Sequence, residues 1–244
     1  MKKIIVENLK ATYVNKKIET KALDNVSFDV DAGEMLVIIG QSGCGKSTLL
    51  KCLAGLMDYQ GKIELNGIDS AMLSVKNRNM SYVSQSFTTY SYLNVYNNIA
   101  MPLKANKIDY DEIERRINQV AKDLSIDYLL TRKPKYLSLG QCQKVALARA
   151  IVKRPDIYLF DEPFANLDNL SRVENRKLIK DIKNKYGATM IFVTHDINDA
   201  IYLADKVIVL ENGKIVQQGS VDDIINRPVN ELVYELVHSN KEYE

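Results

Sequence analysis

Residues 40–48 read Gly40-Gln41-Ser42-Gly43-Cys44-Gly45-Lys46-Ser47-Thr48, a complete G-x-x-x-x-G-K-[ST] phosphate-loop pattern. The loop follows the apolar run Met35–Ile39 and leads into the apolar residues 49–54, so the surrounding sequence predicts a buried strand, a glycine loop and a helix. A chance glycine loop is the alternative, and it would not require a strand before it and a helix after it. The stretch predicts an α/β fold that binds a nucleoside triphosphate.

Each residue type in this loop suits phosphate binding. Gly40, Gly43 and Gly45 allow positive φ and a close approach of the backbone, so that successive N–H groups can point at one anion. The N-terminus of the following helix adds partial positive charge. Lys46 can reach the β- and γ-phosphate oxygens, and the Ser47 hydroxyl can complete a Mg²⁺ shell. ATP and Mg²⁺ are the expected ligands.

Length and composition are those of an ordinary globular protein. The 244 residues, 46% of them hydrophobic and 26% charged, suffice for one large domain with an inserted subdomain. A net charge of +2 gives no strong electrostatic footprint for nucleic acid, so we expect no such partner. The apolar runs fall short of the about 20 residues of a membrane-spanning helix, and a signal-peptide core is missing, which predicts a cytoplasmic chain. The scattered cysteines, Cys44, Cys52 and Cys142, read as reduced thiols.

Hydrophobic period and turn residues divide the chain into three regions. Residues 1–85 are strand-rich, with strands predicted at 4–6, 26–30, 35–39 and 62–65. Residues 87–152 carry two predicted helices, one opening near 108 and one at about 140–153. Predicted strands at 156–160, 189–194, 206–210 and 214–217 then alternate with helices at 170–186 and 197–204. The fold expected for residues 1–244 is a P-loop NTPase core with a parallel sheet, an N-terminal antiparallel β subdomain and a helical subdomain inserted at about 87–152.

A second group of phosphate-site residues follows a predicted buried strand. Ile157-Tyr158-Leu159-Phe160 is followed by Asp161 and Glu162. Because neighbouring side chains on a strand point to opposite faces, we expect different roles for the two carboxylates. Asp161 is placed to hold Mg²⁺, and Glu162 to polarise the water that attacks the γ-phosphate. A strand that merely ends in polar residues is the alternative, and a spacing of roughly 115 residues after a phosphate loop argues against it.

The segment 136–150 resembles the signature segment of ATP-binding-cassette (ABC) ATPases. It reads Tyr136-Leu137-Ser138-Leu139-Gly140-Gln141-Cys142-Gln143-Lys144-Val145-Ala146-Leu147-Ala148-Arg149-Ala150, and it departs from the family pattern Leu-Ser-Gly-Gly-Gln at Leu139. The resemblance implies that Ser138, Gly140 and Gln141 bind the γ-phosphate held by the phosphate loop of an opposite subunit. Ser138 taken alone also fits a helix N-cap. With Leu139 present we expect turnover to be retained, even if slower.

Four further residues match landmarks of the same family. The resemblance implies that Tyr13 stacks on adenine, that Gln85 contacts Mg²⁺ and the attacking water, and that His195 contacts the γ-phosphate. Asp168 matches the loop that runs across the dimer seam. The alternatives are a half-buried strand tyrosine for Tyr13, an ordinary loop glutamine for Gln85 and a helix cap for Asp168. The second histidine, His238, is expected on the solvated surface.

The resemblance covers essentially the whole chain, through the closing hairpin at 205–219. Arg132-Lys133-Pro134-Lys135 before the signature resembles bacterial importers, whereas exporters tend to carry a Glu-rich stretch there. The nearest resemblance is to the ATPases of sugar and polyamine importers. These usually carry an additional C-terminal regulatory domain of about 100 residues, and the sequence ends at Glu244 before such a domain.

The resemblance also implies an assembly. Two chains, as a homodimer or a heterodimer, would sandwich two ATP molecules and work with integral membrane permease subunits on the inner face of the cell membrane. An importer would also use a solute-binding protein. The surface near Gln85, with Phe87, Tyr90, Tyr92 and Tyr96, is where this family docks a short helix of the membrane partner. A core-packing role is the alternative for each aromatic residue.

Three other functions stay open on the sequence. An exporter subunit is one, because cassettes differ little between importers and exporters. A second is an ABC ATPase of DNA repair or translation, although the coiled-coil insertions or tandem cassettes usual there are missing. The third is a pseudo-enzyme that binds ATP only to regulate assembly, against which Glu162 and His195 argue.

Overall fold

The structure, a computed structural model, describes residues 1–15, 18–165 and 167–238. Along these residues the elements are β1 (Lys2–Asn15), β2 (Ile18–Asp31), β3 (Met35–Ile39), α1 (Lys46–Ala54), β4 (Gln60–Leu65), β5 (Ile68–Asp69), β6 (Met80–Val83), α2 (Val95–Ala105), α3 (Tyr110–Asp123), α4 (Leu139–Val152), β7 (Ile157–Asp161), α5 (Asn169–Tyr186), β8 (Thr189–Thr194), α6 (Ile197–Leu203), β9 (Lys206–Glu211), β10 (Lys214–Gly219), α7 (Val221–Asn226) and α8 (Glu231–His238). Short 3-10 turns connect several of them.

The central sheet has the strand order β10-β9-β3-β8-β7-β6. All of its strand pairs are parallel except β9 with β10, which forms the predicted closing hairpin. Strands β3 and β8 are buried at every position, as expected where helices or a second sheet cover both faces. The register pairs Ile39 with Thr194 and Val193 with Asp161. The carboxyl ends of β3, β8 and β7 therefore meet at one edge of the sheet.

A second, antiparallel sheet has the order β2-β1-β4-β5. Ile4 of β1 lies between Val30 of β2 and Leu65 of β4, and all three side chains are buried. This face packs on α1 and on one side of the central sheet, with Leu49 and Ile38 in the same apolar cluster. The predicted combination of a parallel core and an N-terminal antiparallel sheet is confirmed.

Three helices, α2 to α4, lie between β6 and β7, within the predicted insertion. Helix α3 begins after Asp109, whose side chain accepts a hydrogen bond from the Asp111 N–H, and it buries Ile113 and Ile117. Helix α4 ends at Val152, close to the end expected from the proline that follows. The sequence did not predict α2, because Pro102 inside it is a poor residue for a helix interior.

Strand β6 and helices α7 and α8 were not predicted either, and β6 and α8 contribute to the sites described below. Helix α8 packs Val233 and Val237 into the main apolar core. Across residues 1–15, 18–165 and 167–238, the helices are all too short or too polar to span a lipid bilayer.

Candidate active site

The phosphate loop connects β3 to α1 and curls around the Lys46 side chain. The Lys46 ammonium donates hydrogen bonds to the backbone carbonyls of Gly40, at 2.8 Å, and Gln41, at 2.9 Å, and the residue is only 4% exposed. A buried ammonium needs such acceptors, since an unpaired buried charge is strongly unfavourable. The loop therefore holds a cation in place beside backbone N–H groups at a helix N-terminus, which suits polyphosphate oxygens.

Two glycines of the loop show why this residue type is favoured there. Gly43 has φ of 82°, in the left-handed region that side chains rarely adopt. Gly45, directly before α1, has φ of 110°, and a Cβ there would lie 2.5 Å from the Ala22 carbonyl oxygen of β2. The sequence attributed these glycines to close approach of a ligand. The structure shows that Gly45 is also required by packing against the antiparallel sheet.

Asp161, the last residue of β7, faces the start of α1. The Ser47 hydroxyl donates a hydrogen bond to Asp161 Oδ1 at 2.7 Å, and Asp161 is 7% exposed. A hydroxyl and a carboxylate side by side are hard oxygen donors, the type that Mg²⁺ takes together with phosphates and water. Among the described residues, no group of three or more His, Cys, Asp or Glu side chains could hold a metal ion. Ser47 and Asp161 therefore fit a nucleotide-bound Mg²⁺.

Glu162 faces the same site as Asp161, but strand alternation does not set its direction, contrary to the prediction from the sequence. Strand β7 ends at Asp161, and Glu162 turns out of it with φ of 45°. Both carboxylates consequently face the phosphate loop. Glu162 Oε1 lies 3.7 Å from Lys46 Nζ, and Oε2 lies 3.1 Å from His195 Nδ1. A non-glycine residue in this backbone region is strained, and strain of this kind concentrates at functional sites.

A cavity of about 640 Å³ lies in front of these groups. Its walls include Gly40, Ser42, Glu162 and His195, together with Gln85, which follows β6 and is exposed. The structure thus brings Gln85 to the same cavity as the two predicted catalytic side chains. Helix α8 forms another wall with three residues that the sequence did not single out, namely Leu232, Glu235 and Leu236.

The predicted signature residues lie elsewhere. Ser138 caps α4: its hydroxyl oxygen accepts a hydrogen bond from the Gln141 N–H at 3.3 Å, and its own N–H donates to Gln141 Oε1 at 3.0 Å. This confirms the helix-cap interpretation, and the cap leaves the hydroxyl proton for a further acceptor. Ser138, Gly140 and Gln141 line a separate cavity of about 190 Å³. No phosphate-loop residue lines that cavity, and no signature residue lines the larger one.

Leu139, where the signature departs from the family pattern, is the first residue of α4 and is 57% exposed. A helical residue with an exposed side chain does not need to be glycine. The structure therefore gives a physical reason why leucine is accommodated at this position.

Tyr13 lies on β1, beside the helix that follows the phosphate loop. Its hydroxyl lies 3.3 Å from Thr48 Oγ1, and the tyrosine is 43% exposed. Asp168 caps α5, accepting from the Ser171 N–H at 3.0 Å, as the helix-cap alternative predicts. Asn166 of the same loop lies outside the described residues. Burial raises the pKa of the Cys44 thiol, which disfavours its reactive thiolate form.

A buried charge network behind His195 was also missed. Arg172 and Arg176 of α5 both bind the carboxylate of Asp196, and Arg176 Nε donates to Asp199 Oδ1 at 2.6 Å. Arg172 also donates to the Phe164 carbonyl at 3.1 Å, which connects the loop after Glu162 to the loop after His195. No local pattern signals such a network, because its members lie on separate elements that only the fold brings together.

Comparison with protein families finds one whose description is "ABC transporter", and it matches residues 23–165. The matched span contains the phosphate loop, α2 to α4, β7 and Glu162. Outside the match lie His195 and α8, which line the larger cavity, and Ser171, Glu174 and Asn175 of α5, which line the smaller one.

Among curated proteins, the maltose/maltodextrin import ATP-binding protein MalK of Aliivibrio fischeri is 38% identical over 99% of this chain and 64% of its own length. The sn-glycerol-3-phosphate import ATP-binding protein UgpC of Psychromonas ingrahamii is 39% identical over 98% of this chain and 64% of its own length. The molybdate/tungstate import ATP-binding protein WtpC of Pyrococcus horikoshii is 40% identical, with 92% and 66% covered. The chain thus spans about two thirds of the length of these relatives.

Two solved structures of dimeric cassettes share the fold. One is an ATP-binding cassette in a post-hydrolysis state bound to ADP and Pi, with a TM-score of 0.80 and 28% identity over 89% of this chain and 98% of that chain. The other is a bacterial ABC transporter cassette, with a TM-score of 0.81 and 29% identity over the same shares of the two chains.

Proposed function

Because the chain belongs to the ABC transporter family, we propose that it binds and hydrolyses ATP to power a membrane transporter, as the subunit of an importer of a small solute. The observation that carries this proposal is the convergence of Lys46, Glu162 and His195 on the phosphate loop. The importer assignment is supported by relatives described as import ATP-binding proteins. The exporter and non-transport alternatives have no observation in their favour.

Each residue of the site has its own role in the proposed reaction. Lys46 and the loop N–H groups bind the β- and γ-phosphates, and Tyr13 offers an exposed ring for the adenine. Ser47 and Asp161 hold Mg²⁺, with Gln85 at the same cavity; the ion, when bound, neutralises phosphate charge. Glu162 accepts the proton of the attacking water, and His195, at hydrogen-bond distance, orients that carboxylate and faces the γ-phosphate.

Two chains complete each site in this proposal. The phosphate-loop cavity and the signature cavity have separate walls in one chain. The Ser138 hydroxyl and the N-terminus of α4 would therefore reach a phosphate held by a second cassette. Dimeric cassette structures with the same fold support this arrangement. Asp168, at the start of α5, would lie near the seam.

A groove of about 400 Å³ between β6, α2 and α4 is the proposed docking surface for a permease subunit. Phe87 and Tyr90 line it, and Tyr92, whose ring centroid lies 6.1 Å from that of Tyr90, is exposed. Phe87 is also buried in the main core, and Tyr96 packs against that core, so the predicted aromatic set divides between docking and core packing. Arg149 and Lys153 line its floor, and their hydrogen bonds go to the backbone carbonyls of Thr88 and Met80. Such a partner would hold the subunit at the inner face of the membrane.

The charge of this groove favours an acidic partner. Burial lowers the pKa of both Arg149 and Lys153, which means that their charged forms are incompletely solvated. Among the described residues that line the groove, none is Asp or Glu. A carboxylate on an incoming segment would form ion pairs with these two cations. We therefore propose that the groove binds a short permease helix that carries an acidic residue.

Replacing Lys46 by alanine tests the nucleotide site. Loss of a charged hydrogen-bond donor costs about 1.5–3 kcal/mol, so the dissociation constant for ATP is expected to rise roughly 10- to 100-fold. Isothermal titration calorimetry on the isolated chain measures it. Lys51→Ala removes the same charge from the last turn of the same helix and is expected to bind ATP normally. Unchanged affinity in Lys46→Ala would mean that the nucleotide binds elsewhere.

Reversing the charge of the groove tests the partner. Lys153→Glu is expected to weaken assembly with the membrane subunits at least 10-fold, because two buried carboxylates would then face each other. Copurification with candidate permease subunits encoded by the neighbouring genes measures it, and ATP affinity should stay unchanged. Lys122→Glu, on the exposed side of α3, serves as the matched control. Equal recovery of both variants would contradict the proposed groove.

A further inference from the structure

The side chain of Tyr82 on β6 reaches Asp161 beside the phosphate loop, although the residue also lines the docking groove. Strand β6 pairs in parallel with β7, and Tyr82 lies opposite Leu159, two residues before Asp161. Alternation therefore sends the Tyr82 side chain to the same face as Asp161, where it packs on the apolar cluster that contains Leu159. Its neighbour Ser81 faces the other way and donates to the Ala150 carbonyl of α4 at 3.0 Å.

The two oxygens of the Asp161 carboxylate have different hydrogen-bond donors. The Tyr82 hydroxyl donates to Oδ2 at 2.6 Å, and the Ser47 hydroxyl donates to Oδ1 at 2.7 Å. An ionised carboxylate can only accept hydrogen bonds, so the direction of both is fixed. The donors belong to two separate elements, β6 and α1, and together they hold the carboxylate against rotation about its Cβ–Cγ bond.

Because Asp161 is buried, its carboxylate depends on these two hydrogen-bond donors. Asp161 is 7% exposed, so water cannot readily replace a missing donor. Without the Tyr82 hydroxyl, Oδ2 would be left in a mostly dry environment with an incomplete set of partners, and the carboxylate would rotate to find another. The ring of Tyr82 would still fill its place in the apolar cluster. The hydroxyl and the ring therefore have separable roles.

We propose that Tyr82 is a positioning residue for the Mg²⁺-binding carboxylate of Asp161, an inference that rests on the proposed nucleotide site. The hydroxyl fixes the orientation of the carboxylate before the ion arrives, so that Oδ1 and the Ser47 hydroxyl face the bound phosphates together. Residues that hydrogen-bond a metal ligand in this way typically contribute about 10- to 100-fold to metal affinity. The nucleotide itself, held by Lys46 and the loop, does not depend on Tyr82.

Binding measurements with Tyr82→Phe separate these two effects. The probe is a non-hydrolysable ATP analogue, titrated by calorimetry once with Mg²⁺ and once in excess chelator. We expect the affinity with Mg²⁺ to fall about 10-fold or more, while the affinity in chelator stays within about twofold of wild type. In steady-state hydrolysis, the Mg²⁺ concentration for half-maximal rate should rise by a similar factor, with kcat at saturating Mg²⁺ largely retained.

Tyr59→Phe is the matched control. The Tyr59 hydroxyl also makes a 2.6 Å hydrogen bond, with Ser70 Oγ, in a partly buried place remote from the phosphate loop. This variant should bind the analogue like wild type under both conditions. A thermal unfolding curve for each variant verifies that the fold is intact.

Two results would overturn the role of Tyr82. One is wild-type affinity of Tyr82→Phe with Mg²⁺, and the other is an equal loss with Mg²⁺ and in chelator, which would mean that the phosphate loop itself is damaged. A wild-type protein that binds the analogue no better with Mg²⁺ than in chelator would overturn the proposed metal site itself. The failure of the inference and the failure of the proposed function are thus distinguishable.

Discussion

Replacing Glu162 by glutamine is expected to lower the rate of ATP hydrolysis about 10²- to 10⁴-fold, the usual contribution of a general base. Glutamine has nearly the same shape and can still hydrogen-bond His195 across the present 3.1 Å separation. It cannot accept a proton from water at neutral pH. ATP binding should therefore persist, because Lys46 and the loop N–H groups are untouched, and the ATP-bound dimer should accumulate in its closed form.

Phosphate release under steady-state conditions measures the loss, and size-exclusion chromatography with ATP detects the accumulated dimer. Glu7→Gln, which removes a carboxylate from an exposed position on β1, is the control and should hydrolyse ATP normally. Turnover of Glu162→Gln near the wild-type rate would show that another group polarises the water. Loss of ATP binding would show instead that Glu162 supports the site structurally through Lys46.

Local sequence patterns were sufficient to predict the core of this site. The strand, glycine loop and helix around Lys46, and the strand that ends at Asp161, are both contiguous stretches whose residue types directly reflect their chemistry. Ser138 was predicted as a helix cap for the same reason, since a cap is specified by residues within one turn. These predictions did not require knowledge of which strands pair.

The remainder of the site depends on pairings that the sequence does not specify. Tyr82 reaches Asp161 only because β6 pairs with β7 in one particular register, and a shift by one residue would turn it to the other face. Arg172 meets Asp196 only because α5 packs beside α6. Glu162 lines the phosphate-loop cavity, but the alternation argument applied to it was wrong, since the strand ends at Asp161, one residue earlier than that argument assumed.

Mixing two inactive variants should restore ATP hydrolysis if each site is shared between two chains. Ser138→Arg places a bulky cation at the N-terminus of α4, and Lys46→Ala removes the phosphate-loop cation. Each homodimer then has two damaged sites. In the heterodimer, the intact phosphate loop of one chain meets the intact signature of the other, while both lesions fall in the second site.

An equimolar mixture should regain about a quarter of wild-type activity. If chains mix at random, half of the dimers are heterodimers, and each heterodimer has one intact site of two. The estimate of a quarter holds when the two sites act independently. Because isolated cassettes can dimerise weakly, the mixture is best assayed at high protein concentration with ATP, or with the membrane subunits present. Steady-state phosphate release, followed against the mixing ratio, should peak near equal amounts.

The control is a mixture of Ser138→Arg with the double variant that carries both substitutions. Neither chain of that pair then provides an intact signature, so no arrangement yields a complete site, and no activity should return. Activity that scales linearly with the concentration of one chain, with no recovery on mixing, would place the whole site within a single chain. The separate walls of the two cavities argue against that outcome, because Ser138 lines one cavity while Gly40 and Ser42 of the phosphate loop line the other.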